Sequence, residues 1–173
     1  MKLKNKVRAL DKIRGAMIFE FFSPGIPKIL KNAGCEFIIF DMEHGGLSLE
    51  QFKTLAIICN ANNISPLIRI PEVSYNYVAR ALDLGASGIM APMINTPDEA
   101  LKIVQSSKYP PQGKRGAGFG FAHDNYLNQD PLSYIEKANN LLINIIQIET
   151  KTSLENVEDI ASIDGVDCLW VGH

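Results

Sequence analysis

The sequence predicts an α/β protein built around a parallel β-sheet, and three observations favour this fold class. Short apolar runs rich in β-branched and aromatic residues alternate with longer amphipathic segments along the 173 residues. The runs are continuously apolar, which is typical of parallel strands covered on both faces. Residues that typically begin and end helices, such as N-cap serine and threonine and C-terminal glycine, lie between the apolar runs. Together these features predict repeated β/α units in a single domain, residues 1–173.

Six segments are predicted to be strands, because each is short, mainly apolar and bounded by turn-forming or polar residues. In chain order they are Ala16–Phe21, Phe37–Phe40, Ser65–Ile70, Gly88–Met90, Leu142–Ile148 and Asp167–Val171. The last of these contains Cys168 and Trp170, which we interpret as strand core.

Six longer amphipathic segments between the strands are predicted to be helices: Pro24–Ala33, Leu49–Ala61, Tyr75–Leu84, Pro97–Ser106, Pro131–Asn140 and Ser153–Ile160. Ser48 with Gln51, and Thr96 with Glu99, have the spacing of capping boxes at helix starts. Thr96 and Asp130 each directly precede a proline, which favours a helix that begins at that proline. Gly34 and Gly85 occupy positions typical of glycines that end helices.

The first 14 residues carry six basic side chains and one acidic one, whereas the whole chain has a net charge of −2. Apolar residues recur in this segment at helical spacing (Leu3, Val7, Leu10 and Ile13). We predict that residues 1–14 form a short amphipathic helix capping one end of the domain, with a targeting segment as the alternative.

The overall composition excludes several classes of function. Seventeen Lys and Arg against nineteen Asp and Glu do not make the basic surface that nucleic acids require. No apolar run approaches the ~18 residues of a membrane span. Cys35, Cys59 and Cys168 form no CxxC pair, so we interpret them as small apolar residues in a reducing, cytoplasmic compartment.

Two layouts accommodate these β/α units: an open doubly wound sheet and a (β/α)₈ barrel. No G-x-G-x-x-G follows the first strand to favour a dinucleotide-binding fold. A barrel of about 250 residues has about 31 residues per unit. If the fold is a barrel, the chain holds about six of eight units, and its first and sixth strands would be unpaired edge strands.

In both layouts ligands bind at the carboxyl ends of the strands, so the polar residues that follow the apolar runs are candidate site residues. Asp41, Glu43 and His44 follow the second strand, and a histidine beside carboxylates is suited to act as a general base. A helix-capping surface loop is the alternative for this segment.

Arg69 closes the third strand, where a guanidinium could bind a carboxylate or stabilise an enolate oxygen, with a structural ion pair as the alternative. Gln147 and Glu149 flank the end of the fifth strand, and one carboxylate there is a weak signal for Mg²⁺ or Mn²⁺. Arg115 lies in the glycine-rich segment 109–120, which we interpret as a lid or a long loop rather than a phosphate site.

Six stretches together resemble the HpcH/HpaI family of metal-dependent 2-oxo-acid aldolases, and they follow in family order along the chain. They are Phe40–Gly45 (FDMEHG), Ile68–Pro71 (IRIP), Gly88–Met93 (GIMAPM), Pro110–Gly116 (PPQGKRG), Ile146–Glu149 (IQIE) and Trp170–Gly172 (WVG). The resemblance implies a (β/α)₈ TIM barrel and a class II aldolase.

Such an aldolase cleaves or forms 4-hydroxy-2-oxo acids, giving pyruvate and an aldehyde through a metal-stabilised pyruvate enolate. The resemblance implies Mg²⁺ or Mn²⁺ as the cofactor, with Co²⁺ or Zn²⁺ as alternatives. It also implies a cytoplasmic enzyme whose intact parent is a homo-oligomer, a trimer or hexamer, with small-molecule substrates and no nucleic-acid or membrane partner.

The resemblance assigns roles to individual residues. His44, held by Asp41, is the acid/base residue, and Arg69 stabilises the enolate. Glu149 is one metal ligand, while Gln147 and Glu43 line the site. Arg115 borders the aldehyde.

The family's second metal ligand, an aspartate, is expected just beyond His173, together with the last two β/α units. We therefore expect the 173-residue form to be a fragment that binds metal poorly. A CoA-thioester lyase of the citrate-lyase or malyl-CoA-lyase type and an inactive barrel fragment are the alternatives.

Overall fold

The computed structural model describes residues 3–172, which form one sheet of six parallel strands alternating with helices. The strands are β1 (Gly15–Ile18), β2 (Phe37–Asp41), β3 (Ser65–Arg69), β4 (Gly88–Ala91), β5 (Ile143–Ile148) and β6 (Cys168–Val171). Each strand pairs with the next along the chain, giving the spatial order β1-β2-β3-β4-β5-β6. A doubly wound sheet reverses its strand order, so this sequential order confirms the barrel-type layout with six of eight units.

One short helix precedes β1, and the other helices connect successive strands. They are α1 (Leu3–Arg8), α2 (Ile26–Asn32), α3 (Leu49–Ala61), α4 (Tyr75–Asp83), α5 (Pro97–Ser107), α6 (Pro131–Leu141), α7 (Lys151–Glu155) and α8 (Val157–Ala161), with a 3₁₀ turn at Ala122–Asp124. Both predicted capping boxes are present, at Ser48 and Thr96. Gly34 and Gly85 have φ values of 92° and 105°, as expected for residues that end helices.

Two predicted helices differ from those observed. The segment predicted as Ser153–Ile160 is divided into α7 and α8, because Asn156 (φ −101°, ψ 11°) leaves the helical conformation between them. The predicted helix 1–14 spans only Leu3–Arg8, and Leu10 adopts a left-handed conformation (φ 55°) that ends it. Residues 1 and 2 lie outside the described part of the chain.

The sheet separates two apolar layers, since successive side chains of a strand point to opposite faces. Ile38 and Phe40 of β2 pack with the helices, while Ile39 packs on the inner face with Leu67 and Met90. Leu3 joins the inner layer, so α1 covers one end of it. This two-sided burial explains why β2 to β5 are continuously apolar.

The edge strand β6 is less buried than predicted. Trp170 is 38% exposed and Val171 is 82% exposed, because β6 has a neighbour on one side alone within residues 3–172. The interpretation of Trp170 as strand core is therefore wrong, and Cys168 is only partly buried. Among the helices described, none has the length and apolar character needed to cross a membrane.

Candidate active site

The candidate site lies at the carboxyl edge of the sheet, where the parallel strands end side by side. Asp41 is the last residue of β2 and is directly paired in register with Arg69, the last residue of β3. Glu149 follows the last residue of β5. The sheet therefore brings together three polar residues that are far apart in the sequence.

Asp41 and Arg69 form a buried ion pair at this edge. The Nε of Arg69 donates to Oδ1 of Asp41 over 2.6 Å, and the two side chains are 7% and 0% exposed, respectively. Asp41 also accepts the backbone N–H groups of Glu43 and His44, each over 3.1 Å. Asp41 thus fixes both the guanidinium and the turn that follows β2.

Glu43 completes a carboxylate–guanidinium–carboxylate arrangement, because its Oε2 lies 3.1 Å from Nη1 of Arg69. Burial raises the pKa of Glu43 above its ordinary value, against the opposing influence of Arg69, and the Glu149 carboxylate adds to this rise. Burial alone would lower the pKa of Arg69, but Asp41, Glu43 and Glu149 raise it. Glu149 is therefore electrostatically coupled to both residues.

The pKa of Asp41 is lowered. Burial alone would raise it, but the hydrogen bonds from Arg69 and from the backbone of Glu43 and His44 outweigh that effect. Asp41 is therefore held as a carboxylate, in the form that accepts all three bonds.

The imidazole of His44 is not held by Asp41, which corrects the expected contact. Asp41 accepts the backbone N–H of His44, while the His44 ring is 68% exposed with Nε2 lying 3.7 Å from Oε2 of Glu43. The turn after β2 directs the ring away from the buried carboxylate. His44 therefore lies at the open side of the site, next to Glu43.

Glu149 is held by contacts from two other strand ends. Its Oε1 accepts the backbone N–H of Met93, which follows β4, over 2.6 Å. Its Oε2 accepts Nε2 of Gln147 over 2.6 Å. Gly172, after β6, lies so close that a Cβ there would be 2.7 Å from Nε2 of Gln147 and 3.0 Å from Cβ of Glu149.

Three buried polar atoms of this site have no hydrogen-bond partner within residues 3–172: Nη2 of Arg69, Oε1 of Gln147 and Oε2 of Glu43. The Glu43 oxygen contacts Arg69 as an ion pair but lacks hydrogen-bond geometry. Buried polar atoms are rarely left without a partner. These donors and acceptors are therefore suited to a polar ligand.

The donor types are compatible with a hard divalent cation, although the described residues contain no cluster of three His, Cys, Asp or Glu side chains placed to hold a metal. Glu149 and Gln147 supply neighbouring oxygen ligands. Mg²⁺ commonly takes one or two carboxylates and fills its remaining positions with water and substrate. The second carboxylate ligand that the family resemblance implies is not among residues 1–173 and stays an expectation.

Three contributors to the site were missed by the sequence reasoning. The ring of Phe19 lies 5.6 Å from Cζ of Arg69 in a cation–π arrangement, at the end of β1. The backbone N–H of Met93 binds the Glu149 carboxylate, and Gly172 approaches the Glu149 side chain closely. The position of Gly172 just after an apolar run was the available signal for it. Phe19 lies inside the predicted strand Ala16–Phe21, and nothing in the sequence marked the backbone N–H of Met93 as a donor.

Arg115 does not reach this site, and its assignment as a substrate-binding residue is not supported. Its Nη2 donates to Oδ1 of Asp83 over 2.5 Å, and its guanidinium lies 4.5 Å from the Tyr109 ring. Asp83 is the last residue of α4, and the helices run antiparallel to the strands, so Asp83 lies where the strands begin. Arg115 also lines a cavity beside Ser65 and Ser87, which stand at strand starts.

Comparisons with known proteins agree with this architecture. A family model described as HpcH/HpaI aldolase/citrate lyase matches residues 17–173. The crystal structure of an HpcH/HpaI aldolase from Desulfitobacterium hafniense has a TM-score of 0.95 and 30% identity, covering 99% of this chain and 66% of that one.

Two curated relatives carry aldolase names. A hydroxypyruvate/pyruvate aldolase from Deinococcus radiodurans is 33% identical over 153 residues, covering 86% of this chain and 53% of the relative. A 4-hydroxy-2-oxovalerate aldolase from Novosphingobium aromaticivorans is 35% identical over 150 residues, covering 86% and 56%. The chain thus spans about half the length of the curated relatives it matches. The strand order and the extent of the family match together establish that the chain belongs to the HpcH/HpaI aldolase/citrate lyase family.

Proposed function

We propose that this chain carries the active-site residues of a divalent-metal-dependent aldolase that cleaves or forms 4-hydroxy-2-oxo acids, with pyruvate and an aldehyde as the products of cleavage. The observation that carries the proposal is the clustering of Arg69, Glu43 and Gln147 at one strand edge, where each has a buried polar atom with no hydrogen-bond partner among residues 3–172. The aldolase names of the relatives support the same reaction class.

Arg69 is proposed to bind the 2-oxo acid. Its Nη2 is the free donor of a guanidinium already fixed through Nε by Asp41, so the side chain is held in place before substrate binds. Cleavage of the C3–C4 bond leaves the electron pair on C3, and negative charge develops on the 2-oxo oxygen. A fixed cationic donor lowers the energy of that charge in a site shielded from water.

His44 is proposed to exchange the proton of the 4-hydroxyl group. Cleavage requires a base that removes this proton as the aldehyde carbonyl forms, and the reverse condensation requires the same proton to be returned. The exposed imidazole lies beside Glu43 at the open side of the site, where an aldehyde can enter and leave. A proton delivered to C3 then completes pyruvate.

Glu149 and Gln147 are the residues that would hold the cation, for which we propose Mg²⁺ or Mn²⁺. When bound, a divalent cation polarises the 2-oxo group and so acidifies the neighbouring C–H bonds. Met93 and Gln147 each donate a hydrogen bond to Glu149, which fixes the direction of its carboxylate.

The test is pyruvate release from a 4-hydroxy-2-oxo acid, measured with a coupled dehydrogenase. In a polypeptide that also supplies the expected second ligand and the last two β/α units, we expect activity with Mg²⁺, loss of activity with EDTA, and a fall of about 100-fold or more in Glu149→Ala. The 173-residue chain alone is expected to bind metal poorly. Glu155→Ala is the matched control, because Glu155 is exposed on the next helix and is expected to leave activity unchanged. Release that is indifferent to EDTA and to Glu149→Ala would contradict the proposal.

The same assay separates the alternatives. Preferential cleavage of a CoA thioester would identify a lyase of the citrate-lyase or malyl-CoA-lyase type, and no turnover of either substrate class would favour an inactive fragment. The homo-oligomeric state and the cytoplasmic location stay predictions, to be checked by light scattering and by fractionation.

A further inference from the structure

Asn95 joins the loop after β4 to the turn after β5, and all its polar groups are engaged in doing so. Its backbone N–H donates to Oε2 of Glu99 over 2.8 Å, and its carbonyl accepts Nδ2 of Asn156 over 2.8 Å. Its Nδ2 donates to the carbonyl of Met93 over 3.0 Å, and its Oδ1 accepts the hydroxyl of Thr150. Asn95 therefore connects the loop after β4, which contains Met93, to the turn after β5, which contains Thr150 and follows Glu149.

The backbone of Met93 takes part in this connection through its carbonyl. It is a non-glycine residue in the left-handed conformation (φ 55°), which is unfavourable for a residue with a Cβ. Its side chain is 53% exposed, so side-chain packing contributes little to fixing that conformation. In this conformation the N–H of Met93 points to Oε1 of Glu149, 2.6 Å away.

We infer that Asn95 is a positioning residue for Glu149. By holding the carbonyl of Met93, it keeps the Met93 N–H on one carboxylate oxygen, so that Glu149 presents its remaining lone pairs in a fixed direction. The inference rests on the proposed function, because it concerns how Glu149 meets a cation. Residues that orient a metal ligand in this way typically change metal affinity by about 10- to 100-fold when they are removed.

The first test is amide hydrogen exchange at Met93, followed by NMR on the full chain. In Asn95→Ala we expect the Met93 amide to exchange at least tenfold faster than in the wild type, while the strand amides keep their protection. Asn95→Asp is the second variant: it retains the acceptor for Thr150 but loses the donor to Met93, so faster exchange is expected there too.

Asn62→Ala is the matched control. Asn62 is also partly buried and its Nδ2 also donates to a backbone carbonyl, that of Ile58, over 2.8 Å, but it lies at the end of α3. We expect Asn62→Ala to leave the exchange rate at Met93 unchanged. Unchanged Met93 exchange in both folded Asn95 variants would overturn the inference.

The second test is Mn²⁺ titration, followed through the fluorescence of Trp170, the sole tryptophan, which is paired in register with Gln147. We expect Asn95→Ala and Asn95→Asp to weaken Mn²⁺ binding by about tenfold or more. Faster Met93 exchange with unchanged Mn²⁺ affinity would overturn the positioning role. The titration uses a polypeptide that also supplies the second ligand expected beyond His173. If the wild-type form of that polypeptide binds no Mn²⁺, the result counts against the proposed metal site, and the exchange experiment alone then decides whether Asn95 fixes Met93.

Discussion

Replacing Asp41 with alanine tests the buried pair on which the candidate site is built. The substitution removes the acceptor for Nε of Arg69 and for two backbone N–H groups at 3.1 Å. It leaves a guanidinium that is 7% exposed without its principal partner. We therefore expect the chain to lose stability and the turn carrying His44 to lose its anchor.

The magnitude follows from what remains around Arg69. Breaking a buried ion pair by removing one partner costs about 3–5 kcal/mol. Glu43 still lies 3.1 Å from Nη1 of Arg69 and neutralises part of the charge, so the lower end of this range applies. We expect Asp41→Ala to lower the free energy of unfolding by about 3 kcal/mol.

Urea unfolding followed by Trp170 fluorescence measures this loss. Lys151→Ala is the control, because the Lys151–Glu155 pair spans 3.8 Å between side chains that are 89% and 63% exposed. That exposed pair is expected to contribute less than about 0.5 kcal/mol. If the free energy of unfolding of Asp41→Ala lies within about 1 kcal/mol of the wild-type value, the reasoning is refuted, because removing the partner of a buried guanidinium costs more than that.

Two further predictions follow from the same geometry. Gly172→Ala places a Cβ 2.7 Å from Nε2 of Gln147, so we expect pyruvate release to fall about tenfold as Gln147 is displaced. Gly46→Ala, whose Cβ would meet nothing within 4 Å, is its control, and equal activity of the two variants would contradict this account. The lowered pKa of Asp41 implies stability that is present above its unfolded pKa of about 3.9 and is lost as pH falls through the lower folded value. Urea midpoints between pH 5 and pH 2 should therefore fall more steeply for the wild type than for Asp41→Asn.

Much of the fold could be predicted because its signals are local. The capping boxes at Ser48 and Thr96 depend on residues three positions apart, and both are present. The positions of Asp41, Arg69 and Glu149 at strand ends were also predictable, since each directly ends or follows an apolar run. Parallel strands then bring those ends to one edge whatever the connecting segments contain.

The partners of the site residues were harder to predict, because they come from segments distant in the sequence. Asp41 meets Arg69 through the register of β2 and β3, while the ring of His44 turns toward Glu43. Arg115 is a second example: the family resemblance implied that it borders the aldehyde, but the structure pairs it with Asp83 at the end of α4.

The sequence by itself determined the succession of strands and helices and the type of polar residue at each strand end, because hydrophobic periodicity and capping act over a few residues. The tertiary structure alone decided which of those polar groups meet. It set the backbone N–H of Met93 on Glu149 and the close approach of Gly172 to Gln147. Those contacts depend on the direction of the backbone and on the register of the sheet. The segments of Met93 and Glu149, for example, are more than 50 residues apart in the chain. Residue spacing along the chain carries no information about backbone direction or sheet register.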